Sequence, residues 1–428
     1  MRSGDASPIF PNLRALSIGG ESTSKFDSYP NALQLAPFLS PSIREVTIYD
    51  EPNGEDSTFS SQILPIIAFS CPRLESLLLE RCPEACALEL LWSLGSLKRL
   101  ECHLIGRMMY GWDPLPDLRE LARAPALSYL SISLPWDYEW VLSIPEYEAT
   151  PLNNLQSLGL YGFPSTNDAV PLLTKLESPL LQRLEIGPLK YIYAKRPNEV
   201  DAFLDLLYKF PKLRTLSING DGTDKPFALE ALSQLTELEE LMLDVPNALS
   251  NCKVVNFAHA CPHLRYLKAY GRNTAQGTPW SLNVLEVFAS EMPHLEYLET
   301  VFSTRDIGDL DAPRARSVSL ITIDVGQSKL AEEHWGQVAA YISQVYPNAD
   351  CQAQLEPEWD GRTPADGSEK RRGALSQWRR VSRAVAQARR GNWSGYLAPS
   401  ALSGEGAIGR VVTTRSSYLL EQHSQRIY

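Results

Sequence analysis

One short pattern, Leu-x-x-Leu-x-Leu, recurs along this 428-residue chain and limits its possible folds more than any other feature. Twelve copies align at intervals of roughly 20 to 32 residues, a period typical of repeat proteins. Their first apolar positions are Leu13, Ile43, Leu74, Leu97, Leu127, Leu155, Leu181, Leu213, Leu238, Leu264, Leu295 and Ala315. A unit this small cannot cover its own apolar side, so successive copies must stack and share one continuous core.

Within each copy the pattern changes from helical to extended. The last two apolar positions, such as Leu216 and Ile218, alternate with a polar residue, which predicts a strand with one buried face. Between copies, stretches such as 199–210 and 282–292 place their apolar residues on one helical stripe. The sequence therefore predicts an α/β leucine-rich-repeat horseshoe (a solenoid) of about 12 irregular repeats, with a parallel concave sheet and convex helices.

A proline marks the change from helix to strand. It stands two residues before the first apolar position in nine of the twelve copies, for example Pro72, Pro211, Pro262 and Pro313. Proline cannot continue a helix, and it favours extended geometry in the residue before it. The stretch CPHLRYLKA from Cys261 is therefore predicted to be a junction between a helix and a strand rather than a chemical site.

The Cys-Pro-x-Leu-x-x-Leu junctions, together with the LLLERC that ends at Cys82, resemble F-box/leucine-rich-repeat proteins of the fungal type, whose repeats are ribonuclease-inhibitor-like. The resemblance covers residues 9–355. It implies that the horseshoe captures a protein substrate and that an N-terminal F-box docks onto a cullin-based ubiquitin ligase. This chain lacks a recognisable F-box, and its abrupt start leads us to expect a natural protein that continues upstream of Met1. In such repeats an Asn or Cys is expected three positions after the last leucine of each copy. In this chain only Cys82 fills that position.

The expected function is therefore a non-enzymatic protein–protein interaction module, the substrate-recognition part of an F-box-type ubiquitin ligase receptor. The alternative is an unrelated leucine-rich-repeat scaffold or inhibitor with no ubiquitin role. A weaker alternative is a fragment of a larger protein, because GEGAIGRV at 404–411 matches the glycine-rich loop of kinases. No HRD or DFG sequence follows that loop, so we expect no catalytic residue and no cofactor.

The binding face is predicted on the strands of the ninth to eleventh copies. Residues between the buried leucines must point into the concavity, where tyrosines mixed with charges favour protein recognition. They are Glu240, Met242, Asp244, Tyr266, Lys268, Tyr270, Tyr297 and Glu299, with Tyr266 and Tyr297 predicted to stack. The alternative is that these are ordinary residues of a long sheet. A second candidate surface is the rim, where insertions carry Trp112, Trp136, Tyr138 and Trp140.

Cysteine spacing does not favour a metal site. Cys82, Cys86, Cys102 and His103 could be read as zinc ligands, but they lack the tight CxxC pairs of structural zinc sites. Cys71 and Cys261 fill a slot that phenylalanine or methionine fills in other copies, which indicates packed thiols. Seven cysteines and no apolar signal segment favour a cytoplasmic or nuclear location.

The chain is predicted to divide into a repeat array, residues 1–355, and a basic, low-order tail, residues 356–428. Within that tail, 373–390 has the pattern of a short amphipathic helix rich in arginine. Such a helix can bind an anionic membrane, calmodulin or RNA, and the adjoining basic clusters form a weak nuclear-import signal; a disordered or weakly helical tail is the alternative. The net charge of −11 argues against nucleic acid as a partner of the array, and no apolar run is long enough to span a membrane.

Overall fold

One parallel sheet runs through the described part of the chain. The structure, a computed structural model, describes residues 8–19, 32–49, 58–79, 94–103, 126–133, 150–161, 169–187, 200–219, 229–244, 251–269, 280–303, 307, 312–319, 321–325, 328, 330–352 and 368–390. Within these ranges the sheet has 13 strands arranged in sequence order. They are β1 (Ala15–Ile18), β2 (Glu45–Ile48), β3 (Ser76–Leu79), β4 (Arg99–His103), β5 (Tyr129–Ser133), β6 (Ser157–Tyr161), β7 (Arg183–Gly187), β8 (Thr215–Asn219), β9 (Glu240–Asp244), β10 (Tyr266–Ala269), β11 (Tyr297–Thr300), β12 (Thr322–Asp324) and β13 (Asp350–Gln352).

Helices connect many of these strands, as parallel pairing requires a crossover between neighbours. The α-helices in the described ranges are α1 (Ala32–Leu35), α2 (Thr58–Ser70), α3 (Val170–Lys175), α4 (Val200–Leu206), α5 (Asn251–Ala260), α6 (Val284–Glu291), α7 (Trp335–Val345) and α8 (Ser368–Arg389). Short 3-10 turns lie at Ala36–Phe38, Leu207–Lys209, Leu229–Gln234 and Glu332–His334. Two small two-stranded sheets pair Thr150–Pro151 with Leu176–Glu177, and Trp280–Ser281 with Phe302–Ser303. The predicted fold class is confirmed.

The strand register aligns the leucines of successive repeats. Leu216 on β8 pairs with Leu184 on β7 and with Leu241 on β9, and all three side chains are buried. Burying one such side chain stabilises the fold by roughly 1.5–3 kcal/mol, and every central repeat adds a similar set. The core is therefore a continuous row that no single repeat could form.

The proline junctions form a repeated turn between helix and strand. Helix α5 ends at Ala260, and Leu264 then donates its N–H to the carbonyl of Cys261 at 3.2 Å. One repeat later, Leu295 donates to the carbonyl of Met292 at 3.1 Å. The thiol of Cys261 and the side chain of Met292 are both buried, so this position packs into the core. The interpretation of CPHLRYLKA as a junction is confirmed.

The predicted last copy, which starts at Ala315, is wrong. Its second apolar position, Val318, is 61% exposed, and β12 begins only at Thr322. Ile323 occupies the aligned core position, opposite Leu298. The prediction relied on Pro313, which lies two residues before Ala315 as in the other copies. Here, however, no strand follows directly after that spacing.

The final strand was missed because its junction is one residue shorter. Ala349 donates its N–H to the carbonyl of Tyr346 at 3.0 Å, as in the other junctions. Strand β13 then begins at the very next residue, Asp350, so Cys351 faces the core. The missing residue removes the Leu-x-x-Leu spacing that identifies the other copies.

Helix α8 covers the C-terminal end of the sheet. It packs against α7 and β13 and belongs to the same compact unit as the array, Met1–Trp393. Trp378 and Val381 are buried, and the Trp378 indole N–H donates to the carbonyl of Ser328 at 2.8 Å. The helix is longer than the predicted 373–390, and its apolar stripe is part of the core. The division of the chain at residue 356 stays a prediction; Ser394–Tyr428, a separate unit, lies outside the described residues.

Candidate functional site

Two rows of side chains cover the face of the sheet opposite the leucine core. They alternate with the buried residues because successive side chains of a strand point to opposite faces. The first row includes Arg99, Tyr129, Arg183, Glu240, Tyr266 and Tyr297; the second includes Glu101, Glu185, Met242, Lys268, Glu299 and Asp324. This face is lined by aromatic rings and charges, and two clusters stand out on it.

The first cluster is centred on Tyr266 and Tyr297. The two residues pair across β10 and β11, and their rings stack with centroids 4.5 Å apart and planes 3° from parallel. Behind them, Leu267 and Leu298 are fully buried in the core. The predicted stack of Tyr266 on Tyr297 is confirmed.

An ion pair lies beside the stacked rings. Lys268 pairs with Glu299 in the strand register, with Nζ 3.2 Å from Oε1, and the Tyr297 hydroxyl donates to the Glu299 Oε2 at 3.1 Å. Burial raises the pKa of the Glu299 carboxyl above its usual range, and the Lys268 ammonium partly offsets this shift. Burial also raises the pKa of Tyr266 to about 12. The cluster is therefore a fixed surface that combines an aromatic platform with a partly desolvated charge pair.

The other predicted residues adjoin this cluster or lie outside the description. Glu240 precedes Tyr266 in the same row, and Thr215 donates its hydroxyl to the Glu240 Oε2 at 3.3 Å. The backbone of Asp244 pairs with Asn219 at the end of β9, but its side chain is not described. Tyr270 lies outside the described residues. The role of all eight predicted residues in protein binding stays a prediction.

A second cluster, on β4 to β7, was not predicted. The Arg99 guanidinium lies over the Tyr129 ring, 3.9 Å from its centroid, and also pairs with Glu101 at 3.0 Å. Cation–π contacts of this kind contribute about 0.5–1 kcal/mol at exposed sites. Tyr129 stands in the same row as Tyr266, so the alternation that identified Tyr266 could have identified it too.

Tyr161 completes the second cluster through two glycines. Its hydroxyl donates to Glu185, which also pairs with Arg183. A Cβ atom on Gly187 would lie 2.8 Å from Tyr161 Cδ1, and one on Gly159 would lie 2.9 Å from Tyr161 Cε2. Because these glycines have no side chain, the Tyr161 ring can pack directly against the sheet. No feature of the sequence alone shows this contact.

Several of the candidates from the sequence lie outside the described residues. Trp112, Trp136, Tyr138 and Trp140 of the rim lie outside the described residues, as do Cys82, Cys86 and the 404–411 loop. Cys102 is buried on β4. Among the described residues, no group of three or more His, Cys, Asp or Glu is placed to hold a metal ion.

Four of the cysteines are packed thiols. Cys71, Cys102, Cys261 and Cys351 are buried and form no disulfide bond among the described residues. Burial raises the pKa of Cys71 to about 11 and the pKa of Cys261 to about 12, so neither forms the reactive thiolate near neutral pH. Their role is in the core.

The sheet, the aligned leucines and the crossover helices define the class: this is a leucine-rich-repeat solenoid of the α/β horseshoe type. No model of a known protein family matches the sequence, and no curated protein matches it. In the part of the chain that the structure describes, no helix is both long and apolar enough to cross a membrane.

Similar solved structures include two that are distant in sequence. The chain is similar to TLR13 in the TLR13–ssRNA13 complex, with a TM-score of 0.42 and 14% identity, over 86% of this chain and 54% of that one. It is also similar to a protein from Bacteroides fragilis, with a TM-score of 0.32 and 16% identity, over 55% of this chain and 71% of that one. The chain thus spans about half the length of the TLR13 chain.

Proposed function

We propose that this chain is a non-enzymatic protein-interaction module. It binds its partner around Tyr266 and Tyr297 on the face of the sheet opposite the leucine core, which we call the open face. The observation that carries the proposal is the parallel stack of these two rings beside the Lys268–Glu299 pair. Tyrosine buries a large contact area and has few rotatable bonds to immobilise, which makes it a frequent anchor at protein interfaces.

The charge beside the stack supports protein recognition rather than a structural role alone. Lys268 and Glu299 are held together at 3.2 Å on the open side of the sheet, where no core packing requires them. A fixed charge pair next to an apolar platform gives a partner both an anchor and an orientation. Glu240, on the neighbouring strand β9, extends the surface on one side.

The finer proposal is that the module is the substrate-recognition part of an F-box-type ubiquitin ligase receptor. Its support is the Cys-Pro-x-Leu-x-x-Leu form of the junctions at Cys71 and Cys261. A leucine-rich scaffold or inhibitor without a ubiquitin role would have the same open face. Co-purification of cullin-ligase subunits with the natural protein would separate the two, because only the receptor binds them. Either protein would act in the cytoplasm or nucleus.

The experiment is a comparative affinity capture from cell extract, followed by mass spectrometry. The chain is compared with its Tyr266→Ala/Tyr297→Ala variant, and we expect that variant to lose a discrete set of partners. Truncating an aromatic anchor at a binding hot spot costs about 2 kcal/mol or more.

A matched control removes two aromatic side chains from outside the sheet. Phe69 on α2 and Tyr208 after α4 are 89% and 69% exposed, so Phe69→Ala/Tyr208→Ala leaves the open face intact. This control should keep the partners that the Tyr266→Ala/Tyr297→Ala variant loses. Equal capture by both variants would refute binding at the tyrosine stack.

A further inference from the structure

A row of arginines lies along the outer face of helix α8. Arg379, Arg383 and Arg390 are all exposed. Arg390 follows α8 directly, and its N–H still donates to the Gln387 carbonyl at 3.1 Å. At about 100° per residue the three arginines fall within a sector of about 40°, on the side opposite the buried Val381 and Val385. From Arg379 to Arg390 the row extends about 16 Å along the helix axis. We call Arg379, Arg383 and Arg390 the arginine row.

The arginine row has no acidic partner among the described residues. Arg380, on the flank of the helix, pairs with Glu332 at 3.1 Å and donates to the Gln377 Oε1 at 3.3 Å. Within the described ranges, no hydrogen bond or ion pair joins the side chain of Arg379, Arg383 or Arg390 to another group. As far as the described residues go, three aligned guanidinium groups are thus unpaired on a chain whose net charge is −11.

The packing of α8 limits what this helix can bind. Trp378, Val381 and Val385 are buried against the end of the array. A basic amphipathic helix binds a membrane or calmodulin by inserting its apolar face, and here that face is already used by the core. Only the charged face remains for a partner.

The surroundings of the row favour a narrow acidic partner. Glu332 and the adjacent Glu333 are exposed on the neighbouring turn, and Arg380 ties Glu332 to the flank of α8. A nucleic acid duplex is too wide to lie along the row without bringing phosphates towards these carboxylates. A single extended peptide can lie along the row and avoid them. An extended segment rises about 3.3 Å per residue, so about six residues of it span the ~16 Å row.

We propose that the arginine row is a docking surface for an extended, Asp/Glu-rich protein segment. The planar guanidinium groups would hold its carboxylates through paired N–H donors, which arginine supplies in a fixed fork. This surface is separate from the open face of the sheet, so its partner can bind independently of the one proposed there.

The test uses the full chain and a fluorescein-labelled (Glu-Gly)6 peptide, followed by fluorescence anisotropy at low salt. Replacing Arg379, Arg383 and Arg390 by Gln should weaken binding about tenfold, since exposed ion pairs contribute about 0.2–1 kcal/mol each. The matched control replaces three exposed arginines of the array, Arg14, Arg73 and Arg316, by Gln. It makes the same change in net charge and should weaken binding less than about twofold.

Two further arms decide the chemistry of the partner. Replacing the three arginines of the row by Lys keeps the positive charge but removes the paired N–H donors of the guanidinium groups. This change should weaken peptide binding about threefold. A twelve-nucleotide oligouridylate and phosphatidylserine vesicles should both bind the wild-type chain more weakly than the peptide does. The proposal is overturned if either binds more tightly, if the array control loses as much affinity as the row variant, or if the wild-type chain does not bind the peptide.

Discussion

The rings of Tyr266 and Tyr297 lie 3° from parallel, with their centroids 4.5 Å apart. Equivalent positions on β10 and β11 bring them together, and the buried Leu267 and Leu298 fix the backbone behind them. A partner that packs on these rings therefore meets side chains that are already ordered. Preorganisation of this kind lowers the entropic cost of binding.

The stack should contribute measurably to stability. In a double-mutant cycle with Tyr266→Leu and Tyr297→Leu, we expect a coupling free energy of about 0.5–1.5 kcal/mol, because stacked rings stabilise each other beyond the area that they bury. Urea denaturation of the four proteins measures it. Additive effects of the two substitutions would show that the rings lie side by side without stabilising each other.

The core register predicts a large loss of stability at Leu216. Leu216→Asp places a carboxylate among Leu184 and Leu241 with no partner, which costs several kcal/mol and should unfold the central repeats. Gln182→Asp, an exposed position just before the neighbouring strand β7, is the control and should leave the thermal melting curve nearly unchanged. An unaltered melt for Leu216→Asp would contradict the register.

Alkaline pH should weaken the array. Burial raises the pKa of Tyr266 to about 12 and also raises the pKa of Tyr297, so the folded state holds both phenolic protons more tightly than the unfolded state. Their contribution to stability is complete below the ordinary tyrosine pKa, about 10, and is lost as the pH rises from there towards 12. The urea midpoint should fall over this range, and less so in Tyr266→Phe/Tyr297→Phe. A midpoint that falls equally in both proteins would assign the loss to other groups.

Helix α8 should depend on Trp378 for its position. Trp378→Ala removes a buried ring and its hydrogen bond to Ser328, a change that typically costs about 3–5 kcal/mol. Trypsin should then cleave at the arginines of α8 faster than in the wild-type chain. The exposed Arg383→Ala variant should keep the wild-type cleavage rate at the other arginines. Unchanged protection in Trp378→Ala would show that α8 is held by other contacts.

The regular repeats were predictable because each one has to bury the same side chains. The spacing of Leu213, Leu216 and Ile218 follows directly from a turn followed by a strand, and the structure places them so. The end of the array was not predictable in this way. At β12 and β13, residues outside the Leu-x-x-Leu-x-Leu pattern fill the core positions. Ile323 and Cys351 are recognised as core residues only from the pairing of the two strands.

The open face was predictable in part for the same reason. Period two and a common register bring Tyr266 next to Tyr297, and both were readable from the sequence. The contacts of Tyr161 depend on its reach across two strands and on the space above Gly159 and Gly187, which no spacing rule describes. The apolar stripe of α8 was also predictable from the sequence. Its packing against α7 and β13 was not.

The central claim is that the partner binds on the open face of the sheet, and site-specific photo-crosslinking tests it most directly. A benzoylphenylalanine replaces Met242, next to Lys268 on the open face, or Val255, an exposed residue of α5. After irradiation in cell extract, we expect discrete crosslinked partners from position 242 and none of them from position 255. The same partners crosslinked from position 255 but not from position 242 would contradict the claim.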